Sequence, residues 1–243
     1  MGFHIVKRES CPWWKLLILY LTAVLAALAL GAVLLLAMGV DPVAYYWRMF
    51  TMGMVGNRIA YRAFENYLKV FVPLALTAVG LSLAFRMRFW NIGGEGQFIL
   101  GSIAAATVAF KAGPLLPQPL TLVLMCLAAM LAAGLYGALT AALKVKFGTN
   151  ETLMTLMLNY VALYFLTFLA ETKAAWNFFL EVTSARPIFT SFSEFAEFPS
   201  IMIGRFGLNI CVILTFAIGL LVFVYLKYTK HGYEIAVVGE SER

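Results

Sequence analysis

An uncharged apolar stretch near the start of the chain, Leu16–Val40, constrains the fold more than any other feature. A helix needs about 20 predominantly apolar residues to cross the hydrocarbon core of a bilayer, and this stretch is long enough. A basic flank with Lys7, Arg8 and Lys15 precedes it, as in a secretory signal peptide. The apolar part of a signal peptide is only about 7–15 residues long, however. The stretch is therefore predicted to be an uncleaved first membrane span.

The composition extends this conclusion to the rest of the chain. Of 243 residues, 63% are hydrophobic and 12% are charged, against about 45–50% and about 25% in a soluble domain. Lipid must therefore surround much of the fold. The net charge of +6 comes from basic residues that stand singly or in pairs between apolar runs. This pattern indicates loops at lipid headgroups and argues against a nucleic-acid surface.

Six apolar runs are predicted to cross the membrane, so the expected fold is all-α, a polytopic transmembrane helical bundle. The third run is too short to cross unaided, and it crosses only if the glycine-rich stretch before it also lies at membrane depth. The runs are Leu16–Val40, Leu68–Phe85, Phe98–Phe110, Leu120–Leu143, Leu153–Leu169 and Leu208–Leu226.

The density of Lys and Arg at short loops predicts a cytoplasmic N-terminus. Basic residues on the opposite side are spread over two longer segments. Asp41–Tyr67 is typical of a helix at the membrane interface, and Glu171–Phe206 is long enough to form an outer cap; both are equally well connecting loops. The short inner flanks hold Lys7, Arg8, Lys15, Arg86, Arg88, Lys144, Lys146, Lys227, Lys230 and Arg243.

Residues for covalent or metal chemistry are few. Cys126 and Cys211 lie inside apolar runs and Cys11 stands at the edge of one, without CxxC spacing or nearby histidines. His4 and His231 both fall in polar flanks. No phosphate-binding loop and no series of acidic residues for proton relay is found. We therefore expect no cofactor, no metal and no enzymatic activity, and any ATP must be bound by another chain.

The stretch Phe89–Gln97 is the most informative polar feature, because three glycines, an acid and two amides interrupt the apolar runs. Glycine at this density breaks a helix, and broken backbone at membrane depth lines a cavity or is buried in protein. Asn91, Glu95 and Gln97 either face a translocation path or belong to a cytoplasmic turn. In the turn, Glu95 would be favoured by the dipole of the third span.

The fifth run carries two more candidates for the path. Thr155 and Asn159 are four residues apart and so share one helix face. Such groups form either helix–helix hydrogen bonds or solute contacts. In the fourth run, Ala133, Gly137 and Ala141 form a row of small residues that favours close helix packing.

Three motifs occur in a fixed order along the chain: Phe89–Gln97, Phe147–Tyr160 (FGTNETLMTLMLNY) and Lys230–Glu240 (KHGYEIAVVGE). From about Leu68 onward, the sequence resembles the permease subunits of ABC importers in the branched-chain amino acid, ribose and simple-sugar group. It is most similar to the nucleoside branch, which is linked to basic-membrane-protein lipoproteins.

The resemblance implies a homo- or heterodimeric pore in the cell membrane, energised by cytoplasmic ATPase subunits and fed by an extracytoplasmic solute-binding lipoprotein. Residues 1–243 would form one permease domain ending in a cytoplasmic coupling segment at about 227–243. The residues that match the segment docking on the ATPase are Gly232, Tyr233, Glu234, Gly239 and Glu240.

The chain departs from the family pattern at Ala236, where Arg is usual, and at Gly94, where Ala is usual. Such permeases also continue for several more spans beyond the position of Arg243. The chain is therefore expected to be the N-terminal part of a longer permease.

The function predicted is a permease subunit of an ATP-driven importer for small polar solutes, with nucleosides first and sugars second. Transport would be alternating access around a central cavity. The alternatives are an ion-coupled secondary carrier and a permease for branched-chain amino acids. A non-transporting scaffold also remains open, whereas a membrane enzyme would require a cluster of reactive groups that is not found.

Overall fold

The computed structural model describes residues 12–54 and 60–240. The predictions for His4, Lys7, Arg8, Cys11 and Arg243 lie outside these residues. The described part contains eight α-helices: α1 Trp13–Ala37, α2 Pro42–Met54, α3 Ala60–Arg86, α4 Gly94–Lys111, α5 Gln118–Phe147, α6 Glu151–Glu171, α7 Ile210–Tyr228 and α8 Lys230–Glu240. It also contains a short 3-10 turn, Glu194–Ala196, and two strands, β1 Ser200–Ile203 and β2 Phe206–Asn209.

The chain divides into two compact units, one up to Phe64 and one from Glu65. In the first unit, the Asp41 carboxylate accepts a hydrogen bond from Val43 N at 2.9 Å and so begins α2. The Tyr46 hydroxyl donates to the carbonyl oxygen of Leu28 on α1 at 2.8 Å. The predicted interfacial segment therefore does contain a helix.

The apolar runs become helices close to the predicted bounds, and α3 differs most. It begins at Ala60 instead of Leu68, because polar residues limit the membrane-crossing part of a helix but not the helix itself. Pro73 lies inside it. Among the described residues, five helices are long and apolar enough to cross a membrane: α1, α3, α5, α6 and α7.

The predicted third span, α4, is not one of those five. It has 18 residues, which at 1.5 Å per residue is about 27 Å, and it begins inside the glycine-rich stretch. Its packing against α5 and α6 explains the lower apolarity, since buried Gly96, Gly101 and Ala109 allow close approach. Like the neighbouring helices, α4 nevertheless runs from one end of the second unit to the other.

We call these ends the basic end and the hairpin end. At the basic end, α3, α5 and α7 finish with Arg86, Lys144 and Lys227 in their last turns, and α4 and α6 begin. At the hairpin end, the antiparallel strands β1 and β2 turn at Gly204, whose φ of 64° favours glycine.

The segment between α6 and α7 forms a cap on the hairpin end. Asn177 Nδ2 donates to the carbonyl oxygens of Leu169 and Thr172 at 2.7 and 2.8 Å. The Glu65 carboxylate of α3 accepts from Gly207 N at 2.7 Å. The predicted outer segment is thus tied to the helices at several points and does more than connect two spans.

Candidate functional site

A row of side chains on α6 holds the segment that joins α3 to α4. Thr155 Oγ1 accepts a hydrogen bond from Ile92 N at 3.1 Å. Asn159 Oδ1 accepts from Gly96 N at 2.8 Å, while its Nδ2 donates to the carbonyl oxygen of Ile92 at 2.9 Å. The shared face predicted for Thr155 and Asn159 is therefore directed at the glycine-rich stretch.

Asn159 supplies the cap that α4 lacks. Gly93 stands at the N-cap position and offers no side chain, so the free N–H groups of the first turn need an acceptor from elsewhere. An N-cap side chain commonly accepts from the third helical residue, which here is Gly96. The amide of Asn159 fills this role from a neighbouring helix, and the bond that starts α4 is therefore a tertiary contact.

The glycines of the segment are required by this close approach. A Cβ on Gly96 would lie 2.8 Å from Asn159 Oδ1, and a Cβ on Gly93 would lie 3.1 Å from the Cβ of Thr155. Thr155 is fully buried and Asn91 is 8% exposed. Asn91 Oδ1 accepts from Gly93 N at 2.9 Å, which closes the turn before the helix.

An ion pair completes this arrangement, and the sequence reading missed it. Lys144 Nζ lies 2.9 Å from the Glu151 carboxylate and 5.0 Å from the centre of the Phe89 ring. A turn through Gly148, at φ 63°, brings the end of α5 to the start of α6. We call Lys144, Glu151, Thr155 and Asn159 the clamp. The sequence did contain a signal for this ion pair, because a helix that ends in a basic residue is followed within a few residues by a helix that begins with an acidic one.

The remaining two sequence candidates lie away from the clamp. Glu95 is exposed in the first turn of α4. Gln97 is half-buried and faces α5, where a Cβ on Gly137 would lie 3.0 Å from its Nε2. A Cβ on Gly101 would lie 3.4 Å from the Cβ of Ala133. Two members of the small-residue row of α5 thus face α4, as the spacing predicted.

Gln97 lines an open groove of about 540 Å³ between α3, α4 and α5. Thr77 and Ser102 add hydroxyl groups to the same groove. Sequence reasoning did not select them, because a lone hydroxyl in an apolar run commonly bonds to its own helix and marks no site. The structure therefore separates Gln97, which lines a cavity, from Asn91, Thr155 and Asn159, whose amide and hydroxyl groups bond to backbone.

Helix α8 contains the predicted coupling residues and packs through two of them. The Thr229 hydroxyl accepts from Gly232 N at 3.1 Å. A Cβ on Gly232 would overlap the carbonyl oxygen of Leu226 on α7, and a Cβ on Gly239 would overlap that of Arg86 on α3. The two glycines are seven residues apart and so share a face. Both are buried.

The rest of the α8 surface is exposed and carries Tyr233, Glu234 and Glu240. Glu234 lies 3.9 Å from Lys230 in a solvent-exposed pair. Because Gly239 contacts Arg86, the last residue of α3, α8 touches the point where the segment to α4 begins. A continuous set of contacts thus runs from α8 through the end of α3 to the clamp.

No group of His, Cys, Asp and Glu that could hold a metal ion occurs within residues 12–54 and 60–240. The apolar helices define a multi-pass membrane protein of the polytopic helical class. Residues 63–243 match the family of permease components of branched-chain amino acid transport systems, and the chain belongs to this family.

Curated relatives cover nearly the whole chain. It is 31% identical over 244 aligned residues to a glucose ABC transporter permease protein of Haloferax volcanii, covering 97% of this chain and 61% of the relative. It is 29% identical to a guanosine ABC transporter permease protein of Bacillus subtilis, covering 98% and 64%. It is 28% identical to a nucleoside ABC transporter permease protein of Lactococcus lactis, covering 90% and 59%. The chain thus spans about three-fifths of their length. No solved structure matches it.

Proposed function

We propose that the chain is the membrane-spanning permease subunit of an ATP-driven importer for small polar solutes, with nucleosides first and sugars second. The observation that carries this proposal is the placement of α8. Gly232 and Gly239 seat it on the ends of α7 and α3, while Tyr233, Glu234 and Glu240 face outward at the basic end. A helix held in this way can receive a partner on one face and pass its movement to the bundle on the other.

The partners proposed are a cytoplasmic ATPase subunit on the outward face of α8, a second permease subunit and an extracytoplasmic solute-binding lipoprotein. The basic residues that end α3, α5 and α7 support a cytoplasmic basic end and an N-terminus in the cytoplasm, in the cell membrane. The cap at the hairpin end would then face the binding protein.

The proposed translocation path includes the groove lined by Gln97, with Thr77 and Ser102 as added contacts. Glu95 precedes Gln97 by two residues, about half a turn nearer the basic end, and is proposed to act at the mouth of the groove. Asn91, Thr155 and Asn159 are proposed to serve the path by holding the start of α4. Their polar groups are bonded to backbone, so their contribution is the position of Glu95 and Gln97.

The test is uptake of labelled nucleosides, sugars and branched-chain amino acids by a strain lacking the gene and by its parent. ATP depletion and an ionophore are applied separately, with ATP monitored. We expect loss of nucleoside or sugar uptake in the deletion strain, at a parental rate that follows ATP. Uptake that follows the ion gradient would point to a secondary carrier. Loss of branched-chain amino acid uptake alone would support the activity named in the family description.

A further inference from the structure

A second cavity lies at the hairpin end, between α4, α6 and the cap. Its volume is about 340 Å³, which is within the range of small-molecule sites. Five phenylalanine rings dominate its wall. These are Phe98, Phe110, Phe179, Phe189 and Phe192.

The rings are arranged as an aromatic wall with flat faces. Phe110 and Phe192 stack on each other with centroids 5.0 Å apart and planes 5° apart, and Phe179 meets Phe110 edge-on at 6.1 Å. A ligand ring cannot enter between Phe110 and Phe192, so it would stack on an outer face of this pair or on another ring of the wall. Among the lining residues that the structure describes, only Ser102 and Thr190 bear polar side chains. Hydroxyl groups of a free sugar would lose their hydrogen bonds to water here with few replacements. A planar heteroaromatic ring, in contrast, stacks on such faces whatever its substituents.

The cavity adjoins the groove described above. Phe98 and Ser102 line both spaces, so a ligand that places a ring in the aromatic cavity can extend a polar part past Ser102 toward Gln97. A molecule with a flat base joined to a polyhydroxyl sugar fits this order, in which the aromatic cavity is followed by the groove that contains Ser102 and Gln97.

We propose that this cavity binds the base of a nucleoside, with the sugar directed along Ser102 toward Gln97. This inference rests on the proposed importer function and specifies its substrate class. Stacking of the base on phenylalanine provides the binding, and the hydroxyls of Ser102 and Thr190 bond to its edge. Because stacking does not depend on base identity, the site accepts purines and pyrimidines alike.

The experiment is photolabelling of membranes that contain the complete importer with 8-azidoadenosine, alongside adenosine uptake by the same cells. The variants are Phe192→Leu and Phe98→Leu, which remove a ring, and Phe192→Tyr, which keeps one. Phe195→Leu is the control, because Phe195 and Phe192 are both 50% exposed and belong to the same cap, but Phe195 does not line the cavity.

We expect saturable labelling of the chain that adenosine and uridine compete for and glucose does not. Phe192→Leu and Phe98→Leu should each reduce it about tenfold, the loss of one base–aromatic contact. Phe192→Tyr, which keeps a ring, should retain most of the labelling, and Phe195→Leu should leave it unchanged. Equal labelling in Phe192→Leu, Phe98→Leu and Phe195→Leu would overturn the proposal, as would loss of labelling in Phe192→Tyr or competition by phospholipid only.

The two proposals fail separately. A deletion strain that loses ATP-dependent glucose uptake but keeps nucleoside uptake would overturn the nucleobase site and leave the importer standing. Adenosine uptake that is lost in the deletion strain but equal in all four variants would do the same. A deletion strain with unchanged uptake of every solute would remove both.

Discussion

At its first turn, α4 is held by side chains of α6 that bond to its backbone, whereas at its last turn it is held by aromatic rings of the cap. Asn159 and Thr155 act at the basic end through a few short directional bonds. Phe110 acts at the hairpin end through ring contacts with Phe178, Phe179 and Phe192. Directional bonds fail when one partner is lost, while ring contacts are shared among several neighbours. The contacts at the basic end therefore depend on precise atomic positions, whereas the contacts at the hairpin end tolerate small displacements.

The largest effect is expected at the basic end, where α8 contacts the end of α3. Gly239→Val places a branched side chain against the Arg86 carbonyl, so α8 must move away from α3. Overpacking typically costs about 1–3 kcal/mol, which corresponds to about a 5- to 150-fold shift in the docked population. ATP-dependent uptake should fall accordingly at unchanged protein level. Gly134→Val is the matched control, since a Cβ at Gly134 meets nothing within 4 Å; equal losses in both variants would sink the assignment of α8.

The next effect concerns the cap that α6 provides. Asn159→Ala leaves Gly96 N, which is buried, without its acceptor, at a cost of about 1–3 kcal/mol. The Ile92 carbonyl also loses its donor, but Ile92 is exposed and water can replace that bond. The midpoint of thermal unfolding in detergent should fall, and uptake should fall with it. Thr167→Ala on the same helix is the control, because the Thr167 hydroxyl bonds only to its own helix, at Leu163 O. A midpoint for Asn159→Ala that matches the control would contradict the clamp.

A smaller contribution is expected from the ion pair of the clamp. The Lys144 and Glu151 side chains are 37% and 17% exposed, and partly solvated pairs contribute about 0.2–1 kcal/mol. A double-mutant cycle with Lys144→Met and Glu151→Gln should give a coupling free energy in that range, reduced by salt. The Lys230–Glu234 pair, 3.9 Å apart and more exposed, should give less. The opposite order would contradict the assignment of Lys144–Glu151 as the stronger of the two pairs.

The smallest effect is expected for one exposed contact at the hairpin end, between Gln118 and the cap. Gln118 Nε2 donates to the carbonyl oxygens of Glu194 and Glu197 at 3.2 and 2.9 Å, but this contact is exposed. Water replaces such bonds, so Gln118→Ala should change the unfolding free energy by less than about 0.5 kcal/mol. If Gln118→Ala lowers the unfolding midpoint as much as Asn159→Ala does, the contrast between the two ends disappears.

The difference between the ends also explains what the sequence could reveal. Runs of apolar residues predicted the helices, because crossing a bilayer imposes a length that composition displays. The spacing of Thr155 and Asn159 placed them on one face. Their partners, Ile92 and Gly96, lie more than 60 residues away, and no local pattern encodes that pairing.

Other features were missed for related reasons. The strands Ser200–Ile203 and Phe206–Asn209 are too short to show a pattern within a polar-aromatic segment. Thr77 and Ser102 became candidates only when packing placed them beside Gln97. The aromatic cavity draws rings from α4 and from the cap, about 70–95 residues apart. Tertiary packing, and not residue type, created these sites.

We propose that α8 presents its exposed surface to a cytoplasmic ATPase while its glycines hold it against the bundle. The most direct test replaces Tyr233 with a photo-crosslinking phenylalanine analogue in whole cells. Tyr164 on α6 is the control position, because both side chains are 71% exposed. We predict a crosslink from position 233 to an ATP-binding protein and none to that protein from position 164. A Tyr233 variant that supports uptake but crosslinks only to extracytoplasmic proteins, or to no ATP-binding protein, would rule out docking of an ATPase on α8.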